Sequence, residues 1–302
     1  MISKKIFFFL VYFFSFTTTV DASIRAVATT PDIAWLIHRI GAEHVEVKTL
    51  SKSGDNYHYL EARPDFILSV NRGDIVCRIG IDLEIGWLPK VLEKAANPKV
   101  MPGGIGDCDL SRTVQIQEKP TTPVDRSMGD VHAAGNPHFW LSPKEMSNAA
   151  REVEIRLAAI APEKINIFSK NRDQLEQELK ELEIKIQIKL KNIKGKSAYQ
   201  YHKDFSYFFS SYGIHSLGSI EEIPGVSPSA ARLGKISLEA KAKKAAFAIA
   251  SEHDPKSSLE KFREVSNTPV VIVPSSLKNP ADAGAYAKWQ ETLAEALIKA
   301  IP

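Results

Sequence analysis

Between Pro143 and about Asn192 the chain carries almost no β signal, while strand and helix patterns alternate on both sides of this stretch. After Pro162, apolar Ile165, Ile167, Phe168, Leu175, Leu179, Leu182, Ile186 and Leu190 recur among Glu, Lys and Gln. That spacing predicts one helix before Pro162 and one long helix after it, stopping near Gly195. A coiled-coil partner surface would show the same periodicity. The α/β patterns on either side favour a long helix tying two lobes together.

On the N-terminal side, β-branched runs at 24–29, 45–50 and 74–79 read as strands. Helices are expected after Thr30-Pro31, over 65–71 and over 87–96, the last leading to Lys99-Val100-Met101. Thr30 can cap a helix whose first residue is Pro31. On the C-terminal side, strands are expected at 197–201, 215–220, 246–250 and 269–273, with helices at 204–212, 229–243 and 257–265. This order argues for parallel sheets covered by helices, hence an α/β fold of two lobes joined by a long rigid helix. Residues 103–137 lack periodicity and are rich in Gly, Pro, Thr and Asp, so they read as one long flexible loop. The expected organisation is a signal peptide at 1–22, an N-terminal lobe at 23–142, a helical segment at 143–194 and a C-terminal lobe at 195–302.

A chain of 302 residues exceeds what one core usually supports, in agreement with two lobes. The net charge of +3, with no long run of like charges, is too small to argue for nucleic acid or a membrane surface, and no nucleic-acid partner is expected. Lys4 and Lys5 precede the apolar run IFFFLVYFFSF, and Val20-Asp21-Ala22 resembles a signal-peptidase site. The run is too short to span a bilayer, so export to the periplasm is expected. No Cys stands at the cleavage site to carry a lipid. Cys77 and Cys108 are the two cysteines; in an oxidising compartment they are either a disulfide or two free thiols.

Three of the eight histidines share an uncommon setting. His58 lies in DNYHYLE just after a strand, His138 in GNPHFW where a loop meets structure, and His202 in YQYHKD between a strand and a helix. Each has aromatic neighbours and stands where an α/β protein keeps its ligand. Neutral imidazole suits Zn²⁺, and three such ligands leave a fourth position open. Their separation in sequence is not a local metal motif, so spacing alone leaves three unrelated histidines equally admissible. His38, His44, His215 and His253 read as structural or exposed.

Four strings carry a resemblance to the zinc- and manganese-binding solute receptors of ABC importers, the ZnuA/TroA-like family. DNYHYLEARPDFI is similar to the family's first ligand segment, with Tyr57 where Pro is usual. GNPHFWLSP resembles the second, with Ser142 in place of Asp, and YHKDFSYFFSSYGI the third. IEEIPGVSPSAARL resembles the segment that follows. The resemblance runs from about residue 24 to the C-terminus. It implies His58, His138 and His202 as metal ligands, a rigid helical linker, and delivery of metal to an inner-membrane ABC permease by a receptor expected to be monomeric. The family usually offers a late Asp, but Ser275 stands at that place. The fourth position is open to a water, or to Glu221 or Glu252 at the ends of second-lobe strands, as ligand or support, and His132 is the candidate for capture by the loop. Zn²⁺ is expected over Mn²⁺, because manganese prefers oxygen ligands. The competing readings are a zinc hydrolase working through a bound water, and a surface adhesin.

Overall fold

A computed structural model describes residues 23–124, 129 and 132–301. The expected signal peptide lies outside the described residues, and no described helix is long and apolar enough to cross a membrane.

The first sheet is formed by β1 (Ile24–Ala28), β2 (Val45–Thr49), β3 (Ile75–Arg78) and β4 (Asp107–Asp109), in the order β2-β1-β3-β4. The second repeats that order with β5 (Ser197–Gln200), β6 (His215–Ser219), β7 (Phe247–Ser251) and β8 (Val270–Val273), as β6-β5-β7-β8. All six pairings are parallel. The buried runs Val27-Ala28 and Phe247-Ala248-Ile249-Ala250 are apolar on both faces, as expected of parallel strands covered by helices.

Helix α1 (Pro31–Gly41) begins as its sequence predicts: Thr30 Oγ1 accepts from the Ile33 amide at 3.3 Å and Pro31 fills the first turn. Helices α2 (Pro64–Arg72) and α3 (Leu88–Ala95) complete the outer face of the first lobe. Lys99-Val100-Met101 forms a turn, and the fourth strand lies within the segment expected as a loop. The three residues of β4 are too few for a periodic signature. What holds them is register: Cys77 faces Cys108 across β3 and β4, and the two are joined as a disulfide.

Helix α4 (Pro143–Ile160) starts at Ser142, whose Oγ accepts from the Glu145 amide at 3.4 Å, and ends ahead of Pro162. Helix α5 (Ile165–Lys189) has 25 residues, which makes it about 37 Å long at the usual rise. It buries Phe168, Leu175, Leu179, Leu182 and Ile186. Its outer face makes ion pairs to the last helix, α9 (Ala285–Ala300), through Lys185–Glu291 and Lys189–Glu295. Helices α6 (Ser206–Tyr212), α7 (Ala230–Ala242) and α8 (Lys256–Ser266) complete the second lobe.

One apolar core spans both lobes, from Ile24 and Trp35 through Met146 and Leu179 to Tyr207 and Leu297. Smaller clusters lie under the outer helices of each lobe, around Phe66 and Trp87 in the first and Tyr199 and Phe262 in the second. The lobes are therefore fused by packing as well as by α5. Trp35 of α1 stacks on Tyr286 of α9 at 4.9 Å, and its indole N–H donates to the Ala283 carbonyl at 3.0 Å.

Candidate metal centre

Strand geometry brings two of the three singled-out histidines to the same end of their sheets. His58 follows β2 and His202 follows β5, each beyond the carboxyl end of a parallel strand. His138 arrives from the connection before α4, immediately ahead of the turn Phe139–Leu141. The three rings form a nearly equilateral triangle, with centroids 5.2 Å (His58–His138), 5.5 Å (His58–His202) and 5.4 Å (His138–His202) apart. Each offers one nitrogen, and these atoms all lie within 4.8 Å of one another. The Nε2 atoms of His58 and His138 are 3.1 Å apart.

Each ring is aimed by its surroundings. The His58 amide donates to Asn56 Oδ1 at 3.1 Å, in a loop that Gly54 turns at a φ of +87°. The adjacent Tyr57 is buried; its carbonyl accepts from Trp87 Nε1 at 2.9 Å and its hydroxyl donates to Ser276 Oγ at 2.7 Å. An aromatic residue at this place thus ties the His58 loop to the second lobe. His138 has its Nδ1 at 2.9 Å from Asn136 Oδ1, which leaves Nε2 facing the other rings. Asn136 also donates to the Lys203 carbonyl at 2.8 Å, so the second and third histidine segments are clamped together. His202 Nδ1 lies 2.9 Å from Glu221 Oε2, and its Nε2 faces the cluster. A second ring nitrogen held by a carboxylate or an amide oxygen is the usual support of a metal-bound imidazole.

The carboxylates take different places around the rings. Glu221 is buried and turned to the far nitrogen of His202. Glu252 reaches toward the loop of the first lobe, where a Cβ placed on Gly54 would stand 2.9 Å from its Oε1. Ser275 lines the cavity beside His58 and His138, and its carbonyl accepts from Trp140 Nε1 at 3.0 Å. Asp204, which the sequence reading used only as the start of a helix, places Oδ1 3.1 Å from His138 Nε2 and 3.8 Å from His202 Nε2. Its one sequence cue is an acidic residue two places after His202, at the turn leading into α6. His132 stands next to the triangle, its ring 5.1 Å from His58 and 6.5 Å from His138. It lines a wider cleft of about 280 Å³ with Glu118, Lys203 and Glu222. His253 lies on the inner cavity with Asp204 and Ser251, although the sequence placed it outside the site.

Electrostatics divide the rings. Desolvation, then the neighbouring imidazoles, push His58 and His138 well below their ordinary value, so both stay neutral. Desolvation would lower His202 too, but Asp204 and the Glu221 hydrogen bond outweigh it and raise His202 to about 9. Burial, then the Asp204 charge, raises Asp254 to about 8. The inner cavity between the lobes measures about 20 Å³, room for one water-sized body.

Comparison with known proteins bears on the family and the fold. Residues 26–300 match the family described as "ZnuA: Zinc-uptake complex component A periplasmic". The high-affinity zinc uptake system protein ZnuA of Yersinia pestis is 24% identical over 231 residues, covering 71% of each chain. The zinc-binding lipoprotein AdcA of Streptococcus pneumoniae is 24% identical over 77% of this chain, which spans only 46% of that longer protein. A crystal structure of ZnuA superposes with a TM-score of 0.75 at 20% identity, over 92% of this chain and 99% of that one. The match of fold and of nearly the whole sequence shows that the chain belongs to the ZnuA family of metal-binding solute receptors.

Proposed function

We propose that this protein captures Zn²⁺ in the cleft between its lobes and hands it to an ABC permease of the inner membrane. His58, His138 and His202 hold the ion, the first two from the N-terminal lobe and the third from the C-terminal lobe. The observation that carries this reading is the equilateral triangle of imidazoles, with a support on the second nitrogen of both His138 and His202. Two neutral rings are ready to donate, and three nitrogen donors favour zinc over manganese. Glu221 acts through His202, by holding its Nδ1, rather than on the ion. His132, beside the triangle and on the wider cleft, guides the ion inward.

The family and the relatives compared above are named for zinc uptake and zinc binding, and a further relative, MntA of Bacillus subtilis, for manganese binding, which supports a metal-transport role. The N-terminal features support release into the periplasm, although AdcA carries a lipid. Competition titration of metal-free protein tests the reading. Zn²⁺ should bind far more tightly than Mn²⁺, and His138→Ala should abolish tight binding. Equal or tighter Mn²⁺ binding would overturn the choice of metal.

A further inference from the structure

We infer that Asp204 supplies the fourth, anionic ligand of the bound ion, so that the centre is three imidazoles and one carboxylate. The inference rests on the zinc reading above and completes its ligand set.

The two oxygens of Asp204 have separate tasks. Oδ2 accepts from Ser251 Oγ at 2.7 Å, which fixes the carboxylate plane. Oδ1 turns to the imidazoles, 3.1 Å from His138 Nε2 and 3.8 Å from His202 Nε2. A tetrahedral zinc with bonds of about 2.0–2.2 Å holds neighbouring ligand atoms about 3.3–3.6 Å apart. The separations at Oδ1 bracket that edge, and the 3.1 Å between the Nε2 atoms of His58 and His138 is close to it. Asp204 and His202 sit on one short turn, Lys203–Phe205 and the residue before it. Phe205 anchors that turn by donating its amide to Gln200 Oε1 at 2.7 Å.

Charge points the same way. Three neutral imidazoles leave a buried zinc with its full double charge, and a buried charge without a partner is costly. Asp204 is 6% exposed and is the carboxylate that meets the Nε2 side of the cluster. Glu221 is committed to the opposite side of His202, and Glu252 faces Gly54. Ser275 opens onto the same inner cavity as Asp204, but its hydroxyl is neutral and a poor zinc ligand. The anionic position is therefore filled from the turn after β5, and the loop after β8 contributes only cavity wall.

The test is competition titration with Zn²⁺ on wild type, His202→Ala, Asp204→Asn, Ser275→Ala and the double variant Asp204→Asn/Ser275→Asp. Visible absorption of the same proteins loaded with Co²⁺ gives a coordination readout, and zinc-soaked wild-type crystals give the ligand distances. Asp204→Asn should weaken zinc by at least about 100-fold, above the 10–100-fold span for loss of a supporting partner. It should also alter the Co²⁺ spectrum, whereas Ser275→Ala should change neither. Ser275→Asp should restore much of the affinity lost by Asp204→Asn, because both side chains open onto one cavity. The zinc-bound crystal needs no variant to fold, and should show Asp204 Oδ1 at about 2.0–2.2 Å from the ion. An oxygen left outside bonding distance, or an Asp204→Asn protein with wild-type affinity and spectrum, would overturn the inference. If His202→Ala also bound zinc normally, the three-imidazole reading itself would fall.

Discussion

The first lobe orders its strands β2-β1-β3-β4 and the second orders its own β6-β5-β7-β8, yet the two supply different chemistry to one cleft. From the first come His58 and His138, supported by amide groups and backbone and kept neutral by desolvation. From the second comes His202, set among Glu221, Asp204 and Asp254 and raised to about 9. The first lobe carries a disulfide between β3 and the edge strand β4, whereas the equivalent pairing of β7 with β8 in the second relies on the parallel backbone ladder and buried apolar side chains. One scaffold used twice in this way sets a neutral half and an acidic half on either side of one cleft. Under the proposed function neither half is a complete site, so affinity would depend on the packing that fuses them.

The largest way to break this comparison is to remove the second lobe's imidazole. A ligand that binds only the folded state at ~1,000 times its Kd adds about 4 kcal/mol. Zinc should therefore raise the melting temperature of the wild-type protein, and His202→Ala should lose most of that rise when each protein is compared with its own metal-free form. A variant that kept the full rise would show that the two neutral rings suffice.

Replacing Cys77 and Cys108 by Ser probes the structural asymmetry. The bond closes a loop with a sequence separation of 31, and chain-entropy reasoning assigns such a loop about 2–4 kcal/mol. Denaturant unfolding should show that loss, with hydrogen exchange accelerating in β3 and β4 before β7 and β8. Unchanged stability would mean that register alone holds β4.

Glu221→Gln sharpens the electrostatic contrast. Loss of a carboxylate supporting a ligand imidazole typically costs 10–100-fold in affinity, and the zinc titration should show at least about 10-fold. Because Glu221 raises His202, the same substitution should move the proton competition to lower pH. An affinity unchanged at every pH would remove Glu221 from the site.

The smallest effect per step is that of protons. His202 has its folded value raised from 6.5 to about 9, so its contribution to metal-free stability is complete below 6.5 and is lost as pH rises through about 9. Zinc needs the neutral ring, so at pH 7 its binding should release about one proton, and affinity should rise about tenfold per pH unit until it levels near 9. His58 and His138, already neutral, should release none. Calorimetry in buffers of different ionisation enthalpy counts the protons. Release of none at pH 7 would mean that His202 is as neutral as its partners.

From the sequence alone came the two α/β halves, the helices on either side of Pro162 and the three histidines as a set. Hydrophobic period, proline position and cap residues are local properties, and the histidine strings are short enough to be recognised without knowing where they meet. Only the tertiary structure decided that β4 lies at Asp107–Asp109, since three residues gain strand geometry from pairing with β3 rather than from their own pattern. It likewise paired Cys77 with Cys108, turned Glu221 to the back of His202 and Glu252 to Gly54, and drew Asp204 to His138, a residue 66 positions away. Which oxygen faces which nitrogen depends on distances of a few ångströms across an interface between lobes, and no period or motif along the chain encodes such a distance.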